Sequence, residues 1–586
     1  MGRPPSADQR HNPAQATAGA LQLLQADKAQ DAYEASRRAL KRHQRHAPLW
    51  HILGLTAARL GKFDEGARAL NRASQIDPAN AAVWTDLSNV LRQSGDAEGA
   101  VAAGRNAVAQ EPKLAAAHNN LGVALRQTGD YAGAVAALSE AAALAPDVAE
   151  IHNNLGNSFK SAMRYDEAVA AYQAATTLRP TYAEAMANLG GAFVEMNAWD
   201  GAEEWCRRAL EIEPRLADAH RNLGAALYWR GDLHGAREAL RTATEIAPDD
   251  RVARKQLALA LIELDDLDRA TAVLVDGLKH DRTPPGHETH DPQLLRVSKT
   301  KLMHDAQQLA VLRAADLVPA HLDTVLHDFD ETIARLDANS DESEIDLKEQ
   351  GFGATARYCN RVLYIDPAPA LTGGALRRDL DFDAIQRDFD AGSSGFALVD
   401  EILRPEALTA LRQFCSRSTI WFQSNFTGEV GTSMVNGFAA PLIFQIARDL
   451  QTLFPNIFGQ QMFQACWAYR YYADLSGLAL HTDAATVSMN LWITPDDANL
   501  DSDSGGLVFW NRRGPKDFFT RPMEEKAQIL DAIANESGAI SEAVPYRCNR
   551  GLIFGAGTVH RTDRFSFKPG YENRRSNVTF LFGPPA

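Results

Sequence analysis

The sequence predicts a multidomain protein of two architectures. An all-α superhelix of repeated helical hairpins fills the N-terminal half, and a β jelly roll (a double-stranded β-helix) with flanking helices fills the C-terminal third. Three observations predict this. A 34-residue period runs through the first half, the composition turns aromatic and β-branched after about residue 351, and short strand-like runs separated by turns crowd the end. At 586 residues the chain is also too long for one ordinary domain.

The repeat units are 47–80, 81–114, 115–148, 149–182, 183–216 and 217–250. Leu holds the seventh position of each: Leu53, Leu87, Leu121, Leu155, Leu189 and Leu223. Gly or Ser follows, and the twentieth position is Gly66 or an alanine (Ala100, Ala134, Ala168, Ala202, Ala236). Small residues at both positions let two helices approach closely. A proline closes each unit, from Pro78 to Pro248, because it cannot continue a helix. Degenerate units near 13–46 and 251–284 fit capping repeats, so the array is expected over 13–284.

These phased positions resemble the tetratricopeptide repeat. The resemblance implies units of two antiparallel helices stacked into a superhelix with a concave groove. The sixth position runs Asp86, Asn120, Asn154, Asn188, Asn222. This is similar to the asparagine ladder of the O-linked N-acetylglucosamine transferase superhelix, whose amides grip an extended peptide. An Asn amide both donates and accepts, so it pairs with any peptide unit. The other reading is that these amides bond a neighbouring helix. His118, His152 and His220 recur at the fourth position, where Trp50 and Trp84 stand in other units. One His per repeat does not converge on a point, so these are read as packing residues.

The stretch DRTPPGHETHDP marks a break after the repeats. Residues 285–350 read as a helical linker, with Leu294, Leu295, Leu302, Leu309 and Leu312 at helical spacing. The acidic run 337–346 reads as an exposed loop. A second domain is expected over 351–586, with its core at 395–586.

Charge and cysteine usage narrow the function. A net charge of −15 argues against nucleic acid as a partner, because an acidic chain repels phosphate backbones. Five dispersed cysteines without a C-x-x-C argue against a disulfide framework or a thiolate zinc site. No apolar run approaches the length of a membrane span, and the first residues lack the apolar core of a signal peptide. A cytoplasmic protein with no membrane partner is the expectation.

Strands are expected at 466–472, 486–493, 504–510, 549–560 and 574–583. His481 and Asp483 form an H-x-D between the first two, and His560 ends the fourth. Two imidazoles and one carboxylate on one face of a metal leave positions open for co-substrates, the arrangement of non-heme iron oxygenases. An isolated H-x-D is common; its weight comes from the ordered strands around it.

In this order, His481-x-Asp483, His560, then an Arg strand, the region resembles the iron(II)- and 2-oxoglutarate-dependent oxygenases. The resemblance implies Fe(II) held by His481, Asp483 and His560, with 2-oxoglutarate and dioxygen as co-substrates. It implies an Arg on the last core strand that pairs with the distal carboxylate of 2-oxoglutarate. Arg575 fits the family's pattern better than Arg574 and shares a strand face with Asn577 and Thr579. Tyr472, nine residues before His481, holds the place of a co-substrate contact in alkylation-repair and prolyl-hydroxylase relatives; it also reads as a core aromatic. Asn490, on the next strand, also points toward the pocket. Halogenases of this fold lack the carboxylate, so Asp483 disfavours halogenation.

Together the halves suggest a hydroxylase acting on a side chain of a protein or peptide held by the repeat groove. Collagen prolyl 4-hydroxylases and aspartyl β-hydroxylases also combine such repeats with this chemistry. One alternative is a small-molecule oxygenase whose repeats recruit a partner; another is a non-catalytic scaffold with a relict metal site.

Overall fold

The computed structural model describes residues 12–289, 291–337, 345–348, 352–391, 396–425, 428–472, 480–515, 518, 521, 523–536, 541–555 and 557–583. The first eleven residues and most of the acidic run 337–346 lie outside these. The chain divides into two compact units, Met1–Leu223 and Gly224–Ala586. The division falls within helix Ala217–Trp229, well before the expected break at 281–300, so the last repeats belong to the unit that carries the sheets.

In the first unit every repeat is a helical hairpin in the expected phase. Helices of 13 and 14 residues alternate, as in Ala81–Gln93 with Ala97–Gln110 and Ala149–Ser161 with Tyr165–Leu178. The degenerate start is a hairpin too, Pro13–Gln25 with Ala29–Leu40. The small eighth position is required by the partner helix. A Cβ on Gly156 would lie 2.6 Å from the Tyr172 ring, and one on Gly190 would lie 2.4 Å from Cys206 Sγ. Where the position is Ser88, its hydroxyl donates to the Ala100 carbonyl at 2.7 Å. The fourth position staples the turn between units. Ring nitrogens of Trp50, Trp84, His118, His152 and His220 each reach a carbonyl six residues back at 2.9 Å. Trp and His alternate there because both offer a ring N–H at the same reach.

In the second unit the repeat helices Arg251–Glu263 and Leu267–Asp281 are followed by a short ribbon of β1 (Arg296–Val297) and β2 (Ile345–Asp346). The segment expected as a helical linker is helical, Lys299–Ala314 and Leu322–Asp337, but it is packed. Leu302, Leu309, Leu312 and Phe329 form a core with Leu347 and Cys359. Gln308 on the first of these helices donates to the Ser418 carbonyl at 2.8 Å.

Ten further strands complete the unit: β3 (Phe396–Val399), β4 (Gln423–Asn425), β5 (Glu429–Ser433), β6 (Phe463–Tyr471), β7 (Val487–Trp492), β8 (Leu507–Arg513), β9 (Ser541–Val544), β10 (Gly551–Gly555), β11 (Thr558–Thr562) and β12 (Ser576–Phe582). They form two antiparallel sheets. The larger has the order β3-β10-β7-β12-β6-β5-β4, and the smaller β11-β8-β9. The single strand expected over 549–560 is therefore two strands in different sheets. The chain turns at Gly557, whose φ of +73° only glycine adopts without strain. Every side chain of β7 and β12 is buried, as suits strands in the middle of a sheet covered on both faces.

The beginning of β6 is tied to the last repeats. The Tyr228 hydroxyl donates to the Phe463 carbonyl at 2.6 Å. The buried Glu263 carboxylate accepts from the Phe463 amide at 2.7 Å, from Arg448 at 2.7 Å and from Gln451 at 3.0 Å.

Candidate metal centre

The cluster is built on a pair of histidines, His560 on β11 and His481 outside the named strands. His481 and His560 form an isolated antiparallel bridge, each backbone amide donating to the other's carbonyl at 2.9 and 3.0 Å. Their rings come to 4.2 Å between centroids. Asp483 completes the cluster: one ligand atom from each of the three residues lies within 4.8 Å of the others. Asp483 lies in the irregular stretch between the His481 bridge and β7.

His560 is prepared to bind a metal. Its Nδ1 lies 3.0 Å from the Thr558 carbonyl, which can only accept, so Nδ1 carries the proton and Nε2 keeps its lone pair. Burial, then the neighbouring His481, pushes the imidazole pKa down to about 4, so the neutral ligand form holds at neutral pH. Phe509 and Phe554 wall the ring at 5.7 and 4.8 Å between centroids.

The cluster opens on a cavity of about 130 Å³. Along β6 the alternating residues Trp467, Tyr469 and Tyr471 face it, as do Asn577 and Thr579 on β12 and Arg575 just before that strand. Asn490 on β7 also lines it, its amide donating to the Thr579 hydroxyl at 3.0 Å. Arg575 is only 1% exposed. Its Nε donates to the Gly505 carbonyl at 2.7 Å, and its guanidinium lies 4.8 Å from the Tyr471 ring centroid. Among the described residues it has no carboxylate partner, and Nη1 has no hydrogen-bond partner. Asn577 Oδ1 and Asn490 Oδ1 are likewise buried without partners. The unpartnered Nη1 is a cationic donor beside the metal ligands and fits an anionic group, whereas the two Oδ1 atoms are acceptors and fit donors.

Tyr472, expected at this cavity, does not line it. β6 ends at Tyr471, and the next residue turns to the other face of the sheet. There Tyr472 packs against His304 and under the Arg574 guanidinium, 3.3 Å from its ring centroid. Arg574 points the same way and donates to Gln307 at 2.8 Å, so the two arginines have opposite environments. Tyr471 is the aromatic that sequence reasoning missed; its alternation with Trp467 and Tyr469 was the available signal.

The asparagine ladder in the first unit is occupied. Asn120 donates to the Thr85 carbonyl at 3.1 Å, Asn154 to Asn119 at 2.9 Å, Asn188 to Asn153 at 3.0 Å, and Asn222 to the Ala187 carbonyl at 3.0 Å. Asp86 accepts from His51 at 2.6 Å in the same slot. Each sixth position thus bonds the fifth position of the preceding unit. One amide N–H of each Asn holds the stack together and is not offered to a peptide.

Comparison with known proteins bears on the repeats. Models of the tetratricopeptide repeat match residues 47–80, 85–149, 153–217 and 227–288. Residues 47–288 are therefore tetratricopeptide repeats, a class that binds protein or peptide partners. Among solved structures, the chain is similar to the APC/C hetero-tetramer Cut9–Hcn1 (22% identity, TM-score 0.37), covering 41% of this chain and 48% of that one, about half its length. It is also similar to YrrB, described as a TPR protein with an unusual peptide-binding site (22% identity, TM-score 0.27, 32% and 96% coverage). A third is MamA of Desulfovibrio magneticus RS-1 (22% identity, TM-score 0.27, 29% and 95% coverage). No curated protein matches the chain. No helix among the described residues is long and apolar enough to cross a membrane.

Proposed function

We propose that the second unit is a 2-oxoglutarate-dependent oxygenase of jelly-roll architecture, and that it hydroxylates a side chain of a protein or peptide recruited by the repeats. The observation that carries this is the buried Arg575 guanidinium without an anion, opening on the same cavity as His481, Asp483 and His560. An unpaired buried charge is costly, so a site built this way expects a carboxylate. Two antiparallel sheets, with His560 on a strand of the smaller one, support the jelly-roll reading.

The donor set fits iron. Two imidazoles and one carboxylate suit Fe(II) and leave coordination positions open. When bound, Fe(II) with 2-oxoglutarate supplies the activation of dioxygen that yields succinate, carbon dioxide and a hydroxylated substrate. The chain's own residues do the rest. His560 stays neutral, oriented through Nδ1 by the Thr558 carbonyl. Arg575 would meet the distal carboxylate of the co-substrate, with Nη1 free to donate. Asn577, Asn490 and the β6 aromatics Trp467, Tyr469 and Tyr471 would form the walls around it.

The test supplies the full chain with Fe(II), 2-oxoglutarate, oxygen and peptides from a lysate digest, and follows succinate and a one-oxygen mass gain. Both should occur, and Asp483→Ala should abolish both. Oxygenation of small molecules without any peptide product would favour the small-molecule alternative. No succinate under any condition would leave a scaffold.

A further inference from the structure

The outer face of the same sheet carries a second cavity, of about 270 Å³, between helix Pro405–Arg417 and strands β6 and β12. Arg470 and Arg412 both line it. Strand alternation separates it from the candidate metal centre: Arg470 faces outward, whereas Tyr469 and Tyr471 face inward.

Arg470 is 4% exposed. Its guanidinium stacks 4.1 Å from the Tyr571 ring centroid, yet Nε and Nη1 have no hydrogen-bond partner, and among the described residues no carboxylate pairs with it. Arg412 is half-buried; it donates to the Ile493 carbonyl and, at 2.8 Å, to Cys548 Sγ, and among the described residues it has no acidic partner. Thr409, Thr494 and Ser576 also line the cavity, their hydroxyls donating to backbone carbonyls, and its one acidic residue, Glu572, is solvent-exposed. Two guanidiniums without anions around one cavity leave charge uncompensated where compensation matters most. Guanidinium geometry suits carboxylate or phosphate oxygens. The volume exceeds that of a lone oxyanion, and Ile493 and Pro495 add apolar wall.

We propose that this cavity is a second ligand site, taking a small organic anion whose carboxylate or phosphate is met by Arg470 and Arg412. The site stands on residues independent of the metal ligands. It is also adjacent to them: the Tyr471 amide, one residue from Arg470, donates to the Arg575 carbonyl at 2.9 Å.

Isothermal titration of the full chain with citrate, glycerol 3-phosphate and inorganic phosphate tests this. At least one organic anion should bind saturably, and the tighter of the two identifies carboxylate or phosphate as the recognised group. Arg470→Gln and Arg412→Gln should each weaken it at least tenfold, while Arg575→Met leaves it unchanged. If Arg470→Gln fails to fold, Arg412→Gln alone decides. The proposal is overturned if no probe binds more tightly than about 1 mM, if both variants bind as the wild type does, or if only Arg575→Met loses binding. Inorganic phosphate binding as tightly as the organic anions would overturn the organic-ligand assignment.

Discussion

Arg575 and His304 are the two residues whose environments predict the most. Arg575 is a buried cation held by backbone carbonyls. Replacing it by Met removes a charge that the ligand-free protein leaves unpaired, so stability without ligand should hold or rise. Affinity for 2-oxoglutarate should fall at least about thirtyfold, roughly 2 kcal/mol for a lost charge-assisted pair, measured by anaerobic titration in the presence of Fe(II). His304 is fully buried, with neither ring nitrogen hydrogen-bonded. Burial first, then Lys301, Arg470 and Arg574, holds its pKa well below 6.5. Below pH 6.5 the unfolded chain takes a proton that the native protein refuses, so stability drops as pH falls. The loss is about 1.4 kcal/mol by one unit below that value. His304→Phe should remove this increment, seen by comparing urea midpoints at pH 7.5 and 5.5. At this scale the sequence was most legible where chemistry constrains it. His481, Asp483 and His560 converge, and strand alternation picks Arg575 over Arg574. Tyr472 was placed on the wrong face because a spacing counted back from His481 says nothing about where β6 ends.

Among the elements, the repeats were almost fully readable, because 34 residues of phase specify both helices and the small contact between them. The role of the ladder was not. The sequence presents Asn at the sixth position but hides that its partner is the fifth position one unit earlier. Asn188→Ala should therefore cost about 1 kcal/mol in the first unit, read as a lower midpoint for its unfolding. An unchanged midpoint would return the amide to a groove role. The sheets were half legible. The stretch NRGLIFGAGTVH over 549–560 looks like one strand, and only the left-handed Gly557 reveals two. Short strands such as β4 and β9 carry too few residues for a period of two to stand out.

For the whole molecule, the boundary seen in composition is not the boundary of packing. The last repeats share a compact unit with the sheets, and Glu263 and Tyr228 hold the start of β6. Deleting 1–280 would remove both anchors and confound delivery of a substrate with damage to the site. Glu263→Gln should cost about 2 kcal/mol, as the loss of charge-assisted bonds to Arg448 and an amide requires. Hydrogen exchange should quicken in β6 while the hairpins over 47–212 are unaffected. The measurement that bears most directly on the central claim is an anaerobic titration of the full chain with Fe(II), then 2-oxoglutarate, followed by oxygen and assay of succinate. The expected result is one Fe(II) per chain, 2-oxoglutarate binding that requires it, and succinate on exposure to oxygen, with all three lost or severely reduced in Asp483→Ala. Saturable binding of neither metal nor 2-oxoglutarate, or succinate formation indifferent to Asp483, would contradict it.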